Sequence, residues 1–350
     1  MFHRFFVPLD GSPRAEKAIP IAAELARASS GSVILARVIV PPLTGEYGAN
    51  IIANETHLVE EKDRAEARAY LDEVMERHEQ VLAGLHLIVE TMAATQPVPA
   101  ALLSFAEQEH TDLIVMCSRG ESSIRRWVFG SVAQNTMRHS PLPVLVLNEH
   151  EVDSVLDNPT HPLRILVPLD GSAFSESILQ PLSQFLVLFP TREPHELHLL
   201  QVVTIPAAGG RFHSGANVTD LLQKDEQSKA ERYLQAYAQQ ISTGILAGAN
   251  VTVTTEAVVH TDVAETVLKR VQAEATQTGP ASTLIALATH GRSGVKRALL
   301  GSVTEHVFGA TMVPLFIVCP PALERERNHL NSEAQKTPET RVEPGPVGLL

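Results

Sequence analysis

Residues 4–12 read Arg-Phe-Phe-Val-Pro-Leu-Asp-Gly-Ser, and residues 164–172 read Arg-Ile-Leu-Val-Pro-Leu-Asp-Gly-Ser. A second shared pattern, a glycine followed after nine residues by Gly-Ser-Val, lies at 120–132 and again at 291–303. The offset is 160 residues in the first pattern and 171 in the second, which predicts about 11 residues inserted in the middle of the second copy. A period of this size indicates a duplicated domain rather than a solenoid repeat of ~20–50 residues.

Each copy alternates short apolar runs with helical patterns. In the first copy, Phe5–Leu9 predicts a buried strand, Ser12 and Pro13 predict the start of a helix, and Gly31 predicts its end. The other predicted strands are 33–40, 86–93, 113–117 and 144–147 in the first copy, and 164–169, 197–203, 251–259, 284–288 and 315–318 in the second. Further helices are predicted over 57–82 and 99–109 and from 131. This order predicts an α/β fold of two tandem doubly wound domains, each with a parallel sheet covered on both faces.

Composition argues against several functional classes. The 350 residues contain 28 Lys and Arg against 40 Asp and Glu, a net charge of −12, so we expect neither nucleic acid nor an anionic membrane as a partner. There is no run of ~18 apolar residues that would predict a spanning helix. The two cysteines are too few for a disulfide framework, and the first residues lack a signal-peptide pattern. We expect a soluble, cytoplasmic protein.

The domain boundaries follow from changes in composition. We predict a first domain over 1–148, an acidic linker over 149–162, a second domain over 163–320 and a disordered polar tail over 321–350. The last strand of each domain would be an apolar sheet edge, and such edges tend to pair. We therefore expect these two strands to lie together about a pseudo-two-fold axis, as an intramolecular pseudo-dimer.

The residues that could carry chemistry follow the first and fourth predicted strands of each copy. Ligands of open parallel sheets bind beyond the carboxyl ends of the strands, where the strand order reverses. Asp10 and Asp170 follow the first strands, and glycine-containing loops at 117–131 and 288–302 follow the fourth. Glycine amides and a helix N-terminus suit a phosphate. Each loop also carries a basic pair, at 125–126 and 296–297, which complements a polyphosphate unless it is only a solvated helix face.

These patterns resemble the universal stress protein family in its tandem form, over residues 1–148 and 163–320. ATP-binding members of that family carry Gly-x-x-Gly, nine residues, and Gly-Ser or Gly-Thr. This chain keeps the second glycine, the spacing and the Gly-Ser in both copies, with Cys117 and Ala288 in place of the first glycine. The resemblance implies a Rossmann-like, adenine nucleotide alpha hydrolase-like domain in each copy, with five parallel strands in the order 3-2-1-4-5. It also implies ATP as ligand, with Mg²⁺ bound through the phosphates.

The resemblance also implies roles for individual residues. Asp10 and Asp170 would face the ribose, and the backbone of Val38 and Val202 would face the adenine. The implied phosphate-loop set is Cys117, Gly120, Gly130, Ser131 and Val132 in the first copy, and Ala288, His290, Gly291, Arg292, Gly294, Gly301, Ser302 and Val303 in the second. Because Glu121 and Ser123 stand where the second copy has Arg292 and Gly294, we expect the second copy to bind ATP more tightly.

The sequence thus predicts a stress-response ATP-binding protein that acts as a nucleotide-dependent sensor or regulator with little or no hydrolysis. We predict no catalytic residue and no protein-held metal, an unidentified protein partner, and a homodimer as one possible assembly. Two alternatives stay open, a nucleotide-free scaffold of the same fold and a slow ATPase or adenylating enzyme. The Ser-Gly-Gly-x-Asp-Ser loop of adenylating ligases is missing after the first strand. Asp10 and Asp170 also have a structural alternative, which is to cap the loop before the first helix.

Overall fold

The computed structural model describes residues 1–40, 53–94, 96–118, 130–148, 161–204, 216–278, 283–289 and 301–319. The first half contains β1 (Arg4–Leu9), α1 (Pro13–Glu16), α2 (Ala18–Ser29), β2 (Ser32–Ile39), α3 (Ala53–Arg77), α4 (Glu79–Leu82), β3 (His86–Ala93), α5 (Val98–Gln108), β4 (Leu113–Ser118), α6 (Ser131–His139) and β5 (Val144–Asn148). The second half contains β6 (Arg164–Pro168), α7 (Ala173–Glu176), α8 (Leu179–Leu186), β7 (His195–Val203), α9 (Ala216–Thr243), β8 (Val251–Val259), α10 (Val263–Thr278), β9 (Thr283–Ala288), α11 (Ser302–Ala310) and β10 (Leu315–Val318).

The ten strands form one continuous sheet in the order β3-β2-β1-β4-β5-β10-β9-β6-β7-β8. Within each half the strands are parallel and follow the order 3-2-1-4-5, which confirms the predicted α/β class. The halves join through an antiparallel pair, β5 with β10, as expected for the two last strands. The two predicted five-stranded sheets are therefore joined edge to edge into one ten-stranded sheet.

The β5–β10 seam has the symmetry of a dimer interface. Leu145 pairs with Phe316, its own counterpart in the second half, while Val144 pairs with Ile317 and Val146 with Leu315. The pseudo-two-fold axis therefore passes between Leu145 and Phe316. All six of these side chains are buried, so apolar contact as well as the strand ladder stabilises the seam.

The first helix of each half starts as predicted but is interrupted. Ser12 is the N-cap, with its Oγ 3.3 Å from the donating amide of Ala15 and a proline at the first helical position. The helix then breaks at Lys17 into α1 and α2. Pro20 has no N–H to donate to the carbonyl of Glu16, which accounts for the break. Pro181 stands in the first turn of α8, and the second half breaks at the corresponding place.

Gly31 has a different role from the predicted one. The residue with left-handed backbone at the end of α2 is Ser30, with φ of 52°. A Cβ atom at Gly31 would lie 2.1 Å from the carbonyl oxygen of His3, so the glycine lets β2 start directly beside β1. The neighbouring amide of Ser32 donates to the same oxygen at 2.7 Å.

The extra residues of the second copy are distributed rather than inserted at one place. The strand registers make Ser32 equivalent to Glu196, His86 to Thr252, and Leu113 to Leu284. The offset thus rises from 160 to 164, 166 and 171 residues along the chain, and each change falls between strands. The total of 11 residues agrees with the prediction and is divided among three connections, because connections outside the sheet tolerate added length whereas paired strands do not.

Helices cover both faces of the sheet and leave its carboxyl edges open. Along β1, Phe5 and Val7 belong to one buried cluster and Phe6 to the other. β9 is buried from Thr283 to Leu287, as its uninterrupted apolar sequence predicts. Among the described residues, no helix combines the length and apolarity needed to cross a bilayer. The linker over 149–160 and the tail over 321–350 lie outside the described residues, so their predicted character stays a prediction.

Candidate functional site

A cavity of about 740 Å³ lies at the carboxyl edge of the second half, where β6 and β9 are neighbours and the strand order reverses. The volume lies within the ~300–1,000 Å³ range of small-molecule sites. Its lining includes the six described members of the predicted second-copy set, Asp170, Val202, Ala288, Gly301, Ser302 and Val303. The other four, His290, Gly291, Arg292 and Gly294, lie outside the described residues.

Asp170 is held at one wall of the cavity by a tight turn. Its Oδ1 accepts hydrogen bonds from the amide of Ser172 at 2.9 Å and from the Ser172 hydroxyl at 2.6 Å. Ser172 in turn caps α7 by accepting from the amide of Ser175 at 3.2 Å. Gly171, between them, has φ of +77°, a backbone conformation that favours glycine. Oδ1 of Asp170 thus caps the loop before the helix, which was the structural alternative to a ribose contact. The same turn fixes the carboxylate at the cavity.

A second wall of the cavity is the start of α11. The amide of Gly301 donates to the carbonyl oxygen of Thr289 at 2.9 Å. A Cβ atom at position 301 would lie 2.9 Å from that same oxygen, so the close approach of α11 to the end of β9 requires glycine. Among the described residues no side chain caps this helix, and Ser302 and Val303 in its first turn line the cavity. An N-terminus of this kind attracts an anion through its amides and dipole.

A third wall comes from β7 and α9, and sequence reasoning missed it. Gln201 of β7 and Glu226, Lys229 and Tyr233 of α9 all line the cavity. The Lys229 ammonium lies 2.8 Å from Glu226 and 2.7 Å from Asp225, and these hydrogen bonds raise the pKa of Lys229 to about 12. A cation therefore stands at the cavity at every physiological pH. The sequence shows Lys229 only as one charge among many on a long polar helix.

Tyr233 connects this wall to a half-buried carboxylate, that of Glu176. Its hydroxyl donates to Glu176 at 2.7 Å, and its ring stacks on Tyr237 at 5.8 Å between centroids. Burial, followed by the hydrogen bond to Glu176, raises the pKa of Tyr233 well above the usual tyrosine value. The phenol therefore stays protonated and acts as a fixed wall rather than as a titrating group.

The predicted residues of the first half occupy the equivalent places. Asp10 makes the same turn, with its Oδ1 accepting from the Ser12 amide at 2.9 Å and hydroxyl at 2.6 Å, and its Oδ2 lies 3.5 Å from Arg14. The remaining described members are Val38 near the end of β2, Cys117 near the end of β4, and Gly130, Ser131 and Val132 at the start of α6. Gly120 lies outside the described residues.

The two helix-start glycines differ in their surroundings. A Cβ atom at Gly130 would meet nothing among the described residues within 4 Å, whereas one at Gly301 would meet the Thr289 carbonyl. In the second half the start of the helix is therefore held against the fourth strand. Within the described ranges, no group of three or more His, Cys, Asp and Glu side chains is arranged to hold a metal ion.

The comparisons with known proteins agree with this architecture. The model of the universal stress protein family matches the chain twice, over residues 1–148 and 163–318. The chain belongs to the universal stress protein family. A universal stress protein of Mycobacterium tuberculosis is 27% identical over 229 residues, and the alignment spans 63% of this chain and 65% of that relative. The universal stress protein YxiE of Bacillus subtilis is 28% identical over 153 residues, which are 42% of this chain and 99% of YxiE.

Solved structures share the fold over most of the chain. The crystal structure of a universal stress protein from Archaeoglobus fulgidus superposes with a TM-score of 0.61 at 19% identity, covering 90% of this chain and 98% of that one. A universal stress protein structure from Pseudomonas aeruginosa gives a TM-score of 0.56 at 12% identity, covering 95% and 98%. Universal stress proteins thus include chains with the same tandem arrangement. Family membership supports a role in the stress response.

Proposed function

We propose that this universal stress protein binds ATP in the second-half cavity and acts as a nucleotide-dependent sensor or regulator, with little or no hydrolysis. One observation carries the proposal. The cavity brings together a fixed carboxylate, Asp170, and a helix N-terminus that has no side-chain cap among the described residues and that Gly301 holds against the end of β9. An acceptor for hydroxyls and an anion site in one cavity match the two polar parts of a nucleotide.

The residues divide between the parts of the ligand. We assign Asp170 to the ribose hydroxyls and the backbone of Val202 to the adenine. The amides of Ser302 and Val303, together with Lys229, suit the phosphates, and His290, Gly291, Arg292 and Gly294 stay in the predicted set. Ala288 ends the strand between the two walls. Mg²⁺ would be bound by phosphate oxygens, with the Ser302 hydroxyl as the protein group able to reach it.

Among the described residues, no side chain at the cavity is placed to act as a general base for ATP hydrolysis. Fast phosphoryl transfer requires a positioned base or water-orienting group. The carboxylates that line the cavity in the described part of the chain are Asp170, bonded to Ser172, and Glu226, paired with Lys229 at 2.8 Å. The nucleotide then acts as a ligand that shifts the balance between conformations for which it has different affinity.

Calorimetric titration with Mg-ATP tests the proposal. The wild-type chain should bind ATP, and the double variant Asp170→Ala with Gly301→Val should lose most of the binding. The matched first-half variant, Asp10→Ala with Gly130→Val, should lose much less. Mass spectrometry of the natively purified chain should show which nucleotide accompanies it. Absence of nucleotide in both measurements would leave the scaffold alternative, and a larger loss from the first-half variant would reverse the assignment.

A further inference from the structure

One position near the end of the second strand of each half, β2 and β7, carries a charged side chain in the first half and a neutral one in the second. The register pairs Pro8 with Ala36 and Pro168 with Leu200, so the next residues along, Arg37 and Gln201, occupy equivalent places. An arginine in one half thus corresponds to a shorter, neutral glutamine in the other. Both lie beside the loop that follows the first strand.

In the first half the guanidinium group of Arg37 lies against this loop. A Cβ atom at Gly11, the residue after Asp10, would lie 3.3 Å from Nη2 of Arg37. On its other side the guanidinium covers the ring of Tyr70, with Cζ 4.7 Å from the ring centroid. Arg37 therefore fills the space between the Asp10 turn and helix α3, and a cation–π contact of ~0.5–2 kcal/mol holds it there.

In the second half the same space is part of the cavity. The residues that correspond to the walls around Arg37 are Gly171 and Tyr233, and both line the cavity together with Gln201. The side-chain oxygen of Gln201 is buried and has no hydrogen-bond partner within the described residues. The glutamine thus leaves the cavity open and keeps an acceptor unused beside it, which is costly unless a ligand uses it.

We propose that Arg37 closes the ribose and adenine end of the first-half site, and that Gln201 keeps the second-half site open, so that position 37/201 decides which half takes ATP. This inference deepens the proposed function and rests on it. ATP can enter the first half only by displacing the guanidinium from Gly11 and Tyr70. In the second half it meets a cavity that already exists, which lowers the cost of binding.

The test uses a chain whose second site is silenced by Asp170→Ala with Gly301→Val. Titrated with Mg-ATP, this parent should bind at least tenfold more weakly than the wild type. Adding Arg37→Gln should restore one ATP per chain with at least a tenfold gain in affinity over the parent. Adding Arg14→Gln instead, which removes a cation beside Asp10 but leaves Arg37 between Gly11 and Tyr70, should restore nothing. In the otherwise wild-type chain, Gln201→Arg should weaken binding at least tenfold.

Circular dichroism and thermal unfolding identify variants that fail to fold. If Arg37→Gln is one of them, Arg37→Met replaces it, because a thioether packs against the Tyr70 ring while leaving the guanidinium space empty. The inference is overturned if the folded Arg37 variant binds no better than the parent, if Arg14→Gln restores binding equally, or if Gln201→Arg binds like the wild type. If the wild type binds no ATP, the proposed function is refuted instead. In that case, ATP binding that appears only in the Arg37 variant would still support the inference that Arg37 closes the first-half site.

Discussion

Gln134 donates a hydrogen bond of 2.9 Å from its Nε2 to Oε1 of Glu305, and these two residues hold equivalent positions in the two halves. Arg138 reaches the same carboxylate oxygen at 3.3 Å. The contact joins α6 to α11 across the pseudo-two-fold axis. Because the Glu305 side chain is 47% exposed, this contact contributes only ~0–1 kcal/mol. The apolar seam beside it should contribute more.

We predict that Phe316→Ala lowers the free energy of unfolding by ~3–5 kcal/mol. Phe316 is fully buried in β10, with the ring of Phe185 at 4.9 Å and that of Phe2, from the other half, at 6.4 Å between centroids. The variant should leave a cavity at the seam. Urea unfolding measures the change, with Glu305→Ala as a control that should lose less than ~1 kcal/mol. Equal losses in the two variants would show that the polar contact rather than the apolar seam holds the halves together.

We predict that Gly301→Ala weakens ATP binding at least tenfold, while Gly130→Ala changes it by less than twofold. At 301 the added Cβ meets the Thr289 carbonyl at 2.9 Å, so the start of α11 must move away from β9. A displacement of the amides from the phosphates by a few tenths of an ångström weakens charge-assisted hydrogen bonds. At 130 the Cβ meets nothing within 4 Å among the described residues. Calorimetry on both variants checks this, and similar losses from both would contradict it.

The central part of the fold could be predicted because its signals are local. The apolar runs at Phe5–Leu9 and Leu284–Ala288, the cap at Ser12 and the repeat itself predict two parallel sheets with helices on both faces. The break after Glu16 also has a local signal in the sequence, Pro20. The left-handed backbone at Ser30 has no local signal in the sequence. The close approach of His3 requires the glycine at 31, and the helix cap is the residue before it.

Half of the candidate site could be predicted for a similar reason. Parallel strands bring their carboxyl ends to one edge, so Asp170 and the residues around Gly301 were expected to lie near one another. The wall formed by Gln201, Lys229 and Tyr233 depends on how α9 lies on the sheet. The charged residues of that helix crowd together between Asp220 and Arg232, so its sequence pattern does not show which of them meets the cavity. The sequence likewise gives no indication that Arg37, near the end of β2, contacts the ring of Tyr70.

We predict that His195 makes the protein less stable as the pH falls below about 6.5. Its ring is buried, accepts from the Leu163 amide at Nδ1 and donates to the Phe189 carbonyl at Nε2, both at 3.0 Å. Burial lowers the pKa of His195 in the folded protein below its ordinary value of 6.5. Between the lowered pKa and 6.5 the unfolded chain binds a proton that the folded chain does not, so stability falls with pH by at most about 1.4 kcal/mol per unit.

The comparison with His195→Gln isolates this contribution, because glutamine keeps one donor and one acceptor but does not titrate. His198 also has a pKa lowered by burial, so both proteins should lose stability in acid. The wild type should lose more than the variant between pH 7.5 and 5.5 in urea unfolding. Parallel pH profiles for the two proteins would show that His195 is not the group responsible.

The last prediction is that Mg-ATP turnover stays far below ~1 per second, an ordinary enzymatic rate. Glu226 is the carboxylate whose position most invites a catalytic role, since it lines the cavity in the described part of the chain. Because Glu226 pairs with Lys229 at 2.8 Å, its carboxylate binds a cation rather than orienting a water molecule for attack. Glu226→Gln should therefore leave any residual turnover unchanged, and it should alter binding only modestly because Lys229 keeps Asp225 at 2.7 Å. A steady-state phosphate-release assay on the wild type and this variant decides the point. Turnover near 1 per second that Glu226→Gln abolishes would make Glu226 a general base and the protein an ATPase.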